Sequence, residues 1–361
     1  MLTAAALSSS ASYGTALAPS VSARYASLQP MPPVAVTLMD KARRLGGRMS
    51  THAGAAGGSA ELGAQSLVAA GPRSAALLGP GGLQGLVAAA ADEWVAPGGL
   101  ESVLTATAAA AKAVVLPSHT VHALSLTDGA WAVRVGEDVR TFDAVVLTVP
   151  VPQILAMGGD VPRLIAERGA ASALEAVRYS PAYTLVLFFS PSDVPAAAAA
   201  LERRGARCAP HAHEGPAGSH HTTLLRSERA GHPALAQLCG DVRARRSIVA
   251  HSSAAFATEH MEAPREAVAR ALLSAVQAAL PGLPQPCDSR CHRWRFASVE
   301  RGWQPEGAAD APSALLLASQ PPLVLAGDAF ASASGGKGLE ACAASAAEAA
   351  AMLRESWSRS V

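Results

Sequence analysis

Aromatic residues are scarce in this 361-residue chain, where Phe, Trp and Tyr together make up 4% of the sequence. The hydrophobic fraction is still 50%, because alanine supplies much of it. Such a composition favours alanine-rich helices that pack closely against a sheet, and it gives little material for an aromatic cage. At this length the chain can bury a sizeable core, and we expect about two domains.

The chain also lacks an excess of either charge, a disulfide pattern and a long apolar run. Lys and Arg (29) nearly cancel Asp and Glu (28), so no net field favours nucleic acid or an anionic membrane. The five cysteines are odd in number and form no CxxC pair, which favours a reducing compartment. No apolar run reaches the roughly 18 to 20 residues of a membrane helix. We therefore expect a soluble, intracellular protein without a nucleic-acid partner or a membrane span.

Acidic residues are missing before Asp40, and residues 1–33 are rich in Ala, Ser and Pro, with Arg24 as their one clear charge. This composition is typical either of an organellar transit peptide, such as a plastid one, or of a disordered tail. Cytoplasmic and organellar locations both remain open.

Two segments at opposite ends of the chain have the pattern of a dinucleotide site. The apolar run 34–39 ends in Asp40, and Gly46, Gly47 and Arg48 follow within one loop. A carboxylate at the end of a strand can accept hydrogen bonds from ribose hydroxyls, while glycines let backbone amides approach a pyrophosphate that Arg48 neutralises.

The second segment, 323–328, is an apolar strand that ends in Gly327 and Asp328 and leads through a glycine loop into an alanine-rich helix. A carboxylate beside the positive end of a helix suits a polyhydroxylated, partly anionic cofactor. The two segments therefore predict two halves of one dinucleotide site.

The patterns between these segments predict an α/β protein whose cofactor domain is discontinuous. Residues 34–66, 98–150 and 320–361 are assigned to that domain, and 67–97 and 151–319 to an inserted substrate domain. Within them, periodicity and turn residues predict a helix up to Lys112, an antiparallel meander over 114–150 with a turn at Asp128 and Gly129, a helix over 155–177, a strand over 183–189, a strand over 247–252, a helix over 265–280 and a strand over 292–299.

A series of short motifs follows one order along the chain: 40–41, 46–49, 61–65, 95–99, 147–155, 174–180, 280–286, 293–295 and 327–328. Each motif is weak alone, but their order and spacing together resemble the renalase branch of the flavin-containing amine-oxidase-like superfamily. The resemblance covers residues from about 34 to 353.

That resemblance implies a Rossmann-like FAD-binding domain with an inserted mixed-sheet substrate domain, as in amine oxidases and p-hydroxybenzoate hydroxylase. It also implies non-covalent FAD and oxidation of isomeric dihydro-NAD(P), the 2- and 6-dihydro forms, to NAD(P)+, with O2 reduced to H2O2. A related flavin amine oxidase or desaturase, and a non-catalytic protein that keeps the fold, remain the alternatives.

The resemblance further assigns roles to individual residues. Arg48, with Gly46 and Gly47, would bind the pyrophosphate, and Asp328, after Gly327, would accept a ribitol hydroxyl. The remaining assignments are Asp40 to the adenosine ribose, the backbone of Val121 to adenine, Gln65 and Ser66 to the flavin, and the helix that begins near Leu339 to the pyrimidine part of the flavin, where its amino end would favour negative charge.

Arg293 and Arg295 flank Trp294 in the last strand of the insertion. Strand alternation puts both guanidinium groups on one face and the indole on the other. The arginines are candidates for binding the phosphates of a dinucleotide substrate, with Trp294 beside the flavin or the substrate ring. A core tryptophan flanked by two solvated arginines is an equal alternative.

The sequence departs from the superfamily before Asp40, where a strand and a GxGxxG turn are expected. Counting back about 20 residues from Asp40 places the glycine positions near Gly14, Ala16 and Pro19. Ala16 adds a methyl group where glycine is expected, and Pro19 lacks a backbone amide donor. Both changes weaken a loop that binds phosphate. Either this loop is degraded or this segment is not the true start of the protein.

No metal site is expected. The densest set of potential ligands lies in a stretch rich in Pro, Gly and Ala, and its spacing matches no closed zinc pattern: His211, His213, Glu214, His220 and His221.

Overall fold

The structure, a computed structural model, describes residues 34–54, 57–203, 207–208, 225–227, 232–305, 311–331 and 337–358. The assignments made for residues 1–33, including Gly14, Ala16 and Pro19, and for the histidine-rich stretch 211–221 lie outside the described residues.

Short strands and alanine-rich helices alternate along the described residues. The strands are β1 (Thr37–Met39), β2 (Thr51–Ala53), β3 (Ser59–Glu61), β4 (Leu67–Val68), β5 (Val87–Ala90), β6 (Glu93–Val95), β7 (Val114–Leu116), β8 (Val121–Thr127), β9 (Ala130–Val135), β10 (Asp138–Phe142), β11 (Val145–Leu147), β12 (Gly158–Gly159), β13 (Arg178–Phe188), β14 (Arg207–Cys208), β15 (Leu225–Ser227), β16 (Leu235–Gly240), β17 (Ser247–Ser252), β18 (Asp288–Arg301), β19 (Leu315–Ser319) and β20 (Pro322–Leu325). The helices are α1 (Pro72–Leu78), α2 (Leu100–Ala110), α3 (Val151–Leu155), α4 (Val161–Glu167), α5 (Ala171–Glu175), α6 (Val194–Arg203), α7 (Val242–Arg245), α8 (Ala254–Glu259), α9 (Arg265–Ala279) and α10 (Gly338–Ser358).

Parallel strands carry the two predicted halves of the cofactor site. β1 pairs in parallel with β7, and β11 pairs in parallel with β20, whose other edge pairs with β19. Met39 of β1 packs against the hydrophobic cluster that contains Leu147 and Leu323, so both pieces share one core. Asp40 and Asp328 thus follow the carboxyl ends of strands around the same core.

Helix α10 lies against β20, as the alanine-rich sequence predicts. Ala349 and Leu353 are buried against Val324 and Ala326. Alanine side chains allow the close approach of helix and strand, and the hydroxyl of Ser345 accepts a hydrogen bond from the Gly327 amide at 2.8 Å. Helix α10 therefore fixes the turn that carries Asp328.

The predicted meander is confirmed as β8, β9 and β10, which pair antiparallel and return through β11 to the buried core. Its first turn has Asp128 at φ 50° and Gly129 at φ 77°. Positive φ at both central residues is the geometry that Asp-Gly favours in two-residue hairpins. The start of β8 lies beside the end of β1, because the His119 amide donates to the Asp40 carbonyl at 2.8 Å.

The insertion is built on a sheet with the strand order β14-β15-β16-β17-β13-β18. One face, with Tyr183 and Leu185, is covered by residues of α8 and α9. The opposite face, with Val186 and Phe188, packs against Ala60 and Leu62 near the β2–β3 hairpin. The sheet thus has a helix-covered face and a face turned toward the cofactor half of the molecule.

Three segments differ from the predictions. The strand predicted over 292–299 is longer, since β18 begins four residues earlier and ends two residues later, and β19 follows it before the return to Asp328. The helix expected over 155–177 is broken into α3, α4 and α5, because β12 forms at Gly158 and Gly159 and the chain turns at Gly169. Strand β13 begins five residues before the predicted strand and runs through Pro181, where its register with β18 shifts. Proline removes a ladder donor, and the irregular pairing accommodates that loss. The mixed helix and sheet architecture agrees with the predicted α/β class.

No helix within the described ranges is long and apolar enough to cross a membrane.

Candidate functional site

Residues from the two ends of the chain meet in an ion pair between Arg48 and Asp328. Arg48 lies in a 3-10 turn, Gly47–Met49, and its Nη1 donates to Asp328 Oδ2 at 2.6 Å and to the Ala297 carbonyl at 3.2 Å. The side chains of Arg48 and Asp328 are 41% and 15% exposed. This contact joins the loop after β1, the turn after β20 and strand β18.

The Arg48 turn depends on glycine at two points. Gly46 has φ 142°, and a Cβ there would lie 2.7 Å from Ser50 Cα, so that a side chain would clash with the backbone. A Cβ at Gly63 would overlap the Arg48 carbonyl, which accepts a hydrogen bond from the Ala64 amide at 2.8 Å. The sequence thus places Arg48 against the segment that leads to Gln65.

Asp328 stabilises the positive charge of Arg48. Burial lowers the pKa of Arg48, but the hydrogen bond and the charge of Asp328 outweigh burial, so that pKa lies above its ordinary value. Tyr179 lies nearby, and burial raises the pKa of its hydroxyl, which accepts from the Val151 amide. Arg48 is therefore a permanent cation on the wall of the site.

Asp40 is half-buried at the end of β1, where its Oδ1 accepts from the Ala42 amide at 2.8 Å. Its own amide donates to Leu116 at the end of β7. Val121 opens β8, two residues after His119, whose amide binds the Asp40 carbonyl. Asp40 and Val121, the residues predicted to bind the adenosine part of FAD, therefore lie close together in the structure.

Gln65 lies in a network that reaches the insertion. Its Nε2 is 3.0 Å from the carbonyls of both Glu61 and Gly63 and 3.3 Å from His251 Nε2 on β17. The hydroxyl of the neighbouring Ser66 donates to Glu93 of β6. These bonds fix the Gln65 amide between the cofactor half and the sheet of the insertion.

Thr184 connects this network to Trp294. A threonine hydroxyl has one proton, and here it goes to the Leu62 carbonyl at 2.7 Å, because a carbonyl can only accept. Trp294 Nε1 donates to the same hydroxyl at 2.9 Å. His251 Nδ1, 3.2 Å away, must then also donate, which leaves its Nε2 as an acceptor toward Gln65. The bonding pattern therefore selects the Nδ1–H tautomer of His251.

Arg293 and Arg295 are not brought together with Trp294. Trp294 packs on the face that contains Val186 and Phe188. On the helix-covered face, Arg293 Nη1 donates to the Met261 carbonyl at 2.7 Å, and Arg295 forms an exposed ion pair with Glu262 at 2.7 Å. Alternation separates the arginines from the indole, as predicted, but it turns both guanidinium groups toward the loop between α8 and α9.

Strand β18 links the two ends of the candidate site. Trp294 contacts Thr184 and lies 4.2 Å, between ring centroids, from His292. Further along, Phe296 meets Tyr179 edge-on at 5.2 Å, and the Ala297 carbonyl accepts from Arg48. The Gln65 network and the Arg48–Asp328 pair are thus joined along one wall.

The first turn of α10 reaches the same region. Leu339 packs in the cluster that contains Met49 and Ala64. Glu340 accepts hydrogen bonds from the Ser74 amide at 2.7 Å and from the Ser74 hydroxyl at 2.8 Å. Burial alone would raise the pKa of Glu340, but the bonds from Ser74 and Arg73 take that pKa below its ordinary value.

A buried ion pair between Glu61 and Arg245 was missed in the sequence. Their side chains are 5% and 12% exposed, and Arg245 Nη1 donates to Glu61 Oε1. Glu61 also accepts from the Leu100 amide, at the start of α2, and from the Thr51 hydroxyl. Burial raises the pKa of Glu61 despite Arg245. Glu61 stands in a recognised motif, but nothing in the arginine-rich run at 243–246 indicates a partner 184 residues away.

Within the described ranges, no group of three or more His, Cys, Asp or Glu side chains could hold a metal ion.

Comparison with known proteins identifies the family. The sequence model described as "Flavin containing amine oxidoreductase" matches residues 84–353. The chain belongs to this family. Renalase from Mus musculus is 30% identical over 241 residues, which are 66% of this chain and 63% of that protein. The predicted flavin amine-oxidase-like family, the similarity to renalase and FAD as cofactor are thereby confirmed.

Solved structures of similar fold include cyclohexylamine oxidase from Brevibacterium oxydans IH-35A, with a TM-score of 0.44 and 14% identity over 73% of this chain and 54% of the other. A putrescine oxidase gives a TM-score of 0.45 at 14% identity, over 73% of this chain and 53% of the other. The chain spans a little under two thirds of renalase and about half of these oxidases.

The chemistry of the described residues fits the flavin cofactor of the family. Asp40 and Asp328 follow the carboxyl ends of parallel strands, the position where α/β sheets bind ligands. Arg48 supplies a cation beside Asp328. The backbone at Gly47 and at Gly338 is open, since a Cβ at either position would meet nothing within 4 Å. The position expected for the GxGxxG turn falls in residues 1–33, outside the described part.

Proposed function

We propose that the chain is an FAD-dependent oxidase of the 2- and 6-dihydro isomers of NAD(P). The reaction is dihydro-NAD(P) plus O2 and a proton giving NAD(P)+ and H2O2. Bound FAD would supply the electron chemistry, taking a hydride from the dihydropyridine and passing two electrons to oxygen. The protein would bind, orient and polarise the reactants.

The single observation that carries this proposal is the hydrogen-bond chain from Gln65 through His251 and Thr184 to Trp294. It fixes an indole ring beside a segment that the renalase resemblance assigns to the flavin. A fixed aromatic ring suits a flat dihydropyridine, because stacking orients the ring without using a charge.

The remaining assignments follow the geometry of the two strand ends. Asp40 would hold the adenosine ribose, the Val121 backbone would contact adenine, Arg48 would neutralise the pyrophosphate, and Asp328 would accept a ribitol hydroxyl. To bind the pyrophosphate, Arg48 would share its guanidinium between the phosphate and Asp328. Residues 34–66, 98–150 and 320–361 would form the FAD-binding domain, and 67–97 with 151–319 the substrate domain.

Two further contacts would tune the flavin. Gln65, with Ser66 beside it, would present its amide to the ring system. The amino end of α10 at Leu339 would favour the negative charge that the reduced pyrimidine ring carries.

The test is steady-state turnover by the purified chain supplied with FAD. We expect 6-dihydro-NAD and 2-dihydro-NAD to give NAD+ and H2O2 in equal amounts, with ordinary 4-dihydro-NAD and amines as comparison substrates. Turnover of amines alone would replace the proposal with a flavin amine oxidase. A chain that takes up no FAD would be a non-catalytic member of the family.

A further inference from the structure

The face of β18 that contains Trp294 also contains an arginine that the sequence motif does not include. In the regular pairing with β13, Ala182 faces Trp294, Thr184 faces His292 and Val186 faces Arg290. Residues paired in this way lie on one side of a sheet. Arg290 therefore projects from the face of Trp294, whereas Arg293 and Arg295 project from the helix-covered face.

Arg290 differs from those arginines in its contacts as well. It is exposed, and no hydrogen bond or ion pair holds its guanidinium within the part of the chain that the structure describes. Arg293 and Arg295 are occupied by the Met261 carbonyl and by Glu262. We call the face that contains Val186 and Trp294 the site face. Arg290 is thus available to bind an anionic ligand on the site face.

The charge of Arg290 acts on two histidines near it. Burial lowers the pKa of His292 to about 4, and the charges of Arg290, Arg265 and His52 add to that effect. Burial also lowers the pKa of His52, with further lowering by Arg290 and Arg44 and an opposing effect of Asp288. Arg290 therefore adds positive potential beside the tilted ring pair of His292 and Trp294, with Asp288 as the opposing charge. Positive potential favours an anion over a cationic amine.

The spacing along the strand suits a dinucleotide. Arg290 and Trp294 are four residues apart, or about 13 Å at the usual rise of a strand. A ribose linked to the nicotinamide ring, together with an extended arginine side chain, can cover that span. A ring at Trp294 would thus place its pyrophosphate within reach of Arg290.

We propose that Arg290 is the residue that recognises the substrate's phosphates, and that it restricts the site to anionic dinucleotides. The inference rests on the proposed function for the position of the substrate ring. It assigns the phosphate contact to Arg290 on the site face of β18, in place of Arg293 and Arg295 on the helix-covered face. A free amine is then a poor substrate, because the positive charge of Arg290 repels it.

Equilibrium binding of NAD+ to the purified full chain, measured by calorimetry, tests the inference. Arg290→Gln should bind NAD+ at least about tenfold more weakly, the effect of losing one charge-assisted hydrogen bond. The variant should bind nicotinamide riboside, which has no phosphate, as the wild type does. Arg270→Gln, an exposed arginine on α9, is the matched control and should bind NAD+ normally.

Several results would overturn the inference: absence of NAD+ binding by the wild type, unchanged NAD+ affinity in Arg290→Gln, or a loss in Arg295→Gln without one in Arg290→Gln. Thermal unfolding of each variant shows whether it folds, and Arg290→Lys, which keeps the charge, should retain part of the affinity. Turnover separates the two proposals. Wild-type chain that binds NAD+ through Arg290 but does not oxidise the dihydro isomers would remove the proposed function alone.

Discussion

Arg48 Nη1 lies 2.6 Å from Asp328 Oδ2, although the two residues are 280 positions apart in the chain. Arg48 lies in the loop after β1 and Asp328 follows β20, so their contact joins segments from the two ends of the chain. Oppositely charged groups at this position can separate slightly to admit a ligand that carries both phosphates and hydroxyls. This pair is the observation on which we base the proposal of a single cofactor site formed from both ends of the chain.

Removing the cation of this pair should weaken FAD binding. Arg48→Met loses a charge-assisted contact to the pyrophosphate and leaves Asp328 to repel it, so we expect FAD affinity to fall by at least about tenfold. Quenching of flavin fluorescence during titration of the chain measures the affinity. Arg163→Met, in an exposed helix pair with Glu167, is the control and should bind FAD as the wild type does. Equal affinities for all three proteins would exclude Arg48 from the cofactor site.

The hydroxyl of Thr184 should be needed to orient Trp294. Thr184→Val keeps the shape of the side chain but leaves the Trp294 indole, His251 and the Leu62 carbonyl without their shared partner, at a cost of about 2 kcal/mol in stability. We also expect a higher KM for the dihydro isomers with little change in FAD affinity. Thr105→Val, at an exposed hydroxyl on α2, should change neither quantity. A variant with wild-type KM would show that the indole is held by packing alone.

The buried pair of Glu61 and Arg245 should contribute to stability through its charge balance. Arg245→Met leaves the Glu61 carboxylate buried without a counter-charge, and we expect a loss of about 3 kcal/mol in the free energy of unfolding. Arg243→Met removes only an exposed pair with Glu202 and should cost less than about 0.5 kcal/mol. Urea unfolding of the two variants measures the difference, and similar losses would contradict a specific role for Arg245.

The carboxylate of Glu340 should make stability depend on pH. Its pKa in the folded state lies below the ordinary 4.5, so its stabilising effect is present above that value and is lost as the pH falls through the folded-state pKa. At pH 7, Glu340→Gln should therefore be less stable by about 1 to 2 kcal/mol, and the difference should shrink toward zero in more acidic solution. Glu137→Gln, in an exposed turn, is the control. A difference that does not change with pH would assign the effect to packing.

Much of the cofactor half could be predicted from local patterns. Asp40 and Asp328 each end an apolar run, and Asp128-Gly129 is a sequence typical of a two-residue hairpin. Hydrophobic periodicity and turn residues were therefore enough to predict these strand ends and this turn. Helix α9 was predicted to within one residue because Pro281 and Gly282 end it. The helix over 155–177 was wrong because the pattern gave too little weight to glycine at positions 158, 159 and 169.

The wall of the site could not be predicted in the same way. The alternation of side chains along a strand predicts that Arg293 and Arg295 lie on the face opposite to Trp294. It does not predict which of the two faces the helices cover, because that depends on contacts with α8 and α9. The same limitation concealed Arg290, which lies outside the recognised motif. The pairs Glu61–Arg245 and Gln65–His251 join residues more than 180 positions apart, a separation on which local patterns carry no information.

Anaerobic titration of the FAD-loaded chain with 6-dihydro-NAD tests the central claim most directly. The account predicts that one equivalent of the isomer bleaches the absorption of one bound flavin and yields one NAD+, and that admitted oxygen restores the colour with one H2O2 formed. Flavin that stays oxidised in the presence of excess 6-dihydro-NAD and excess 2-dihydro-NAD would contradict it.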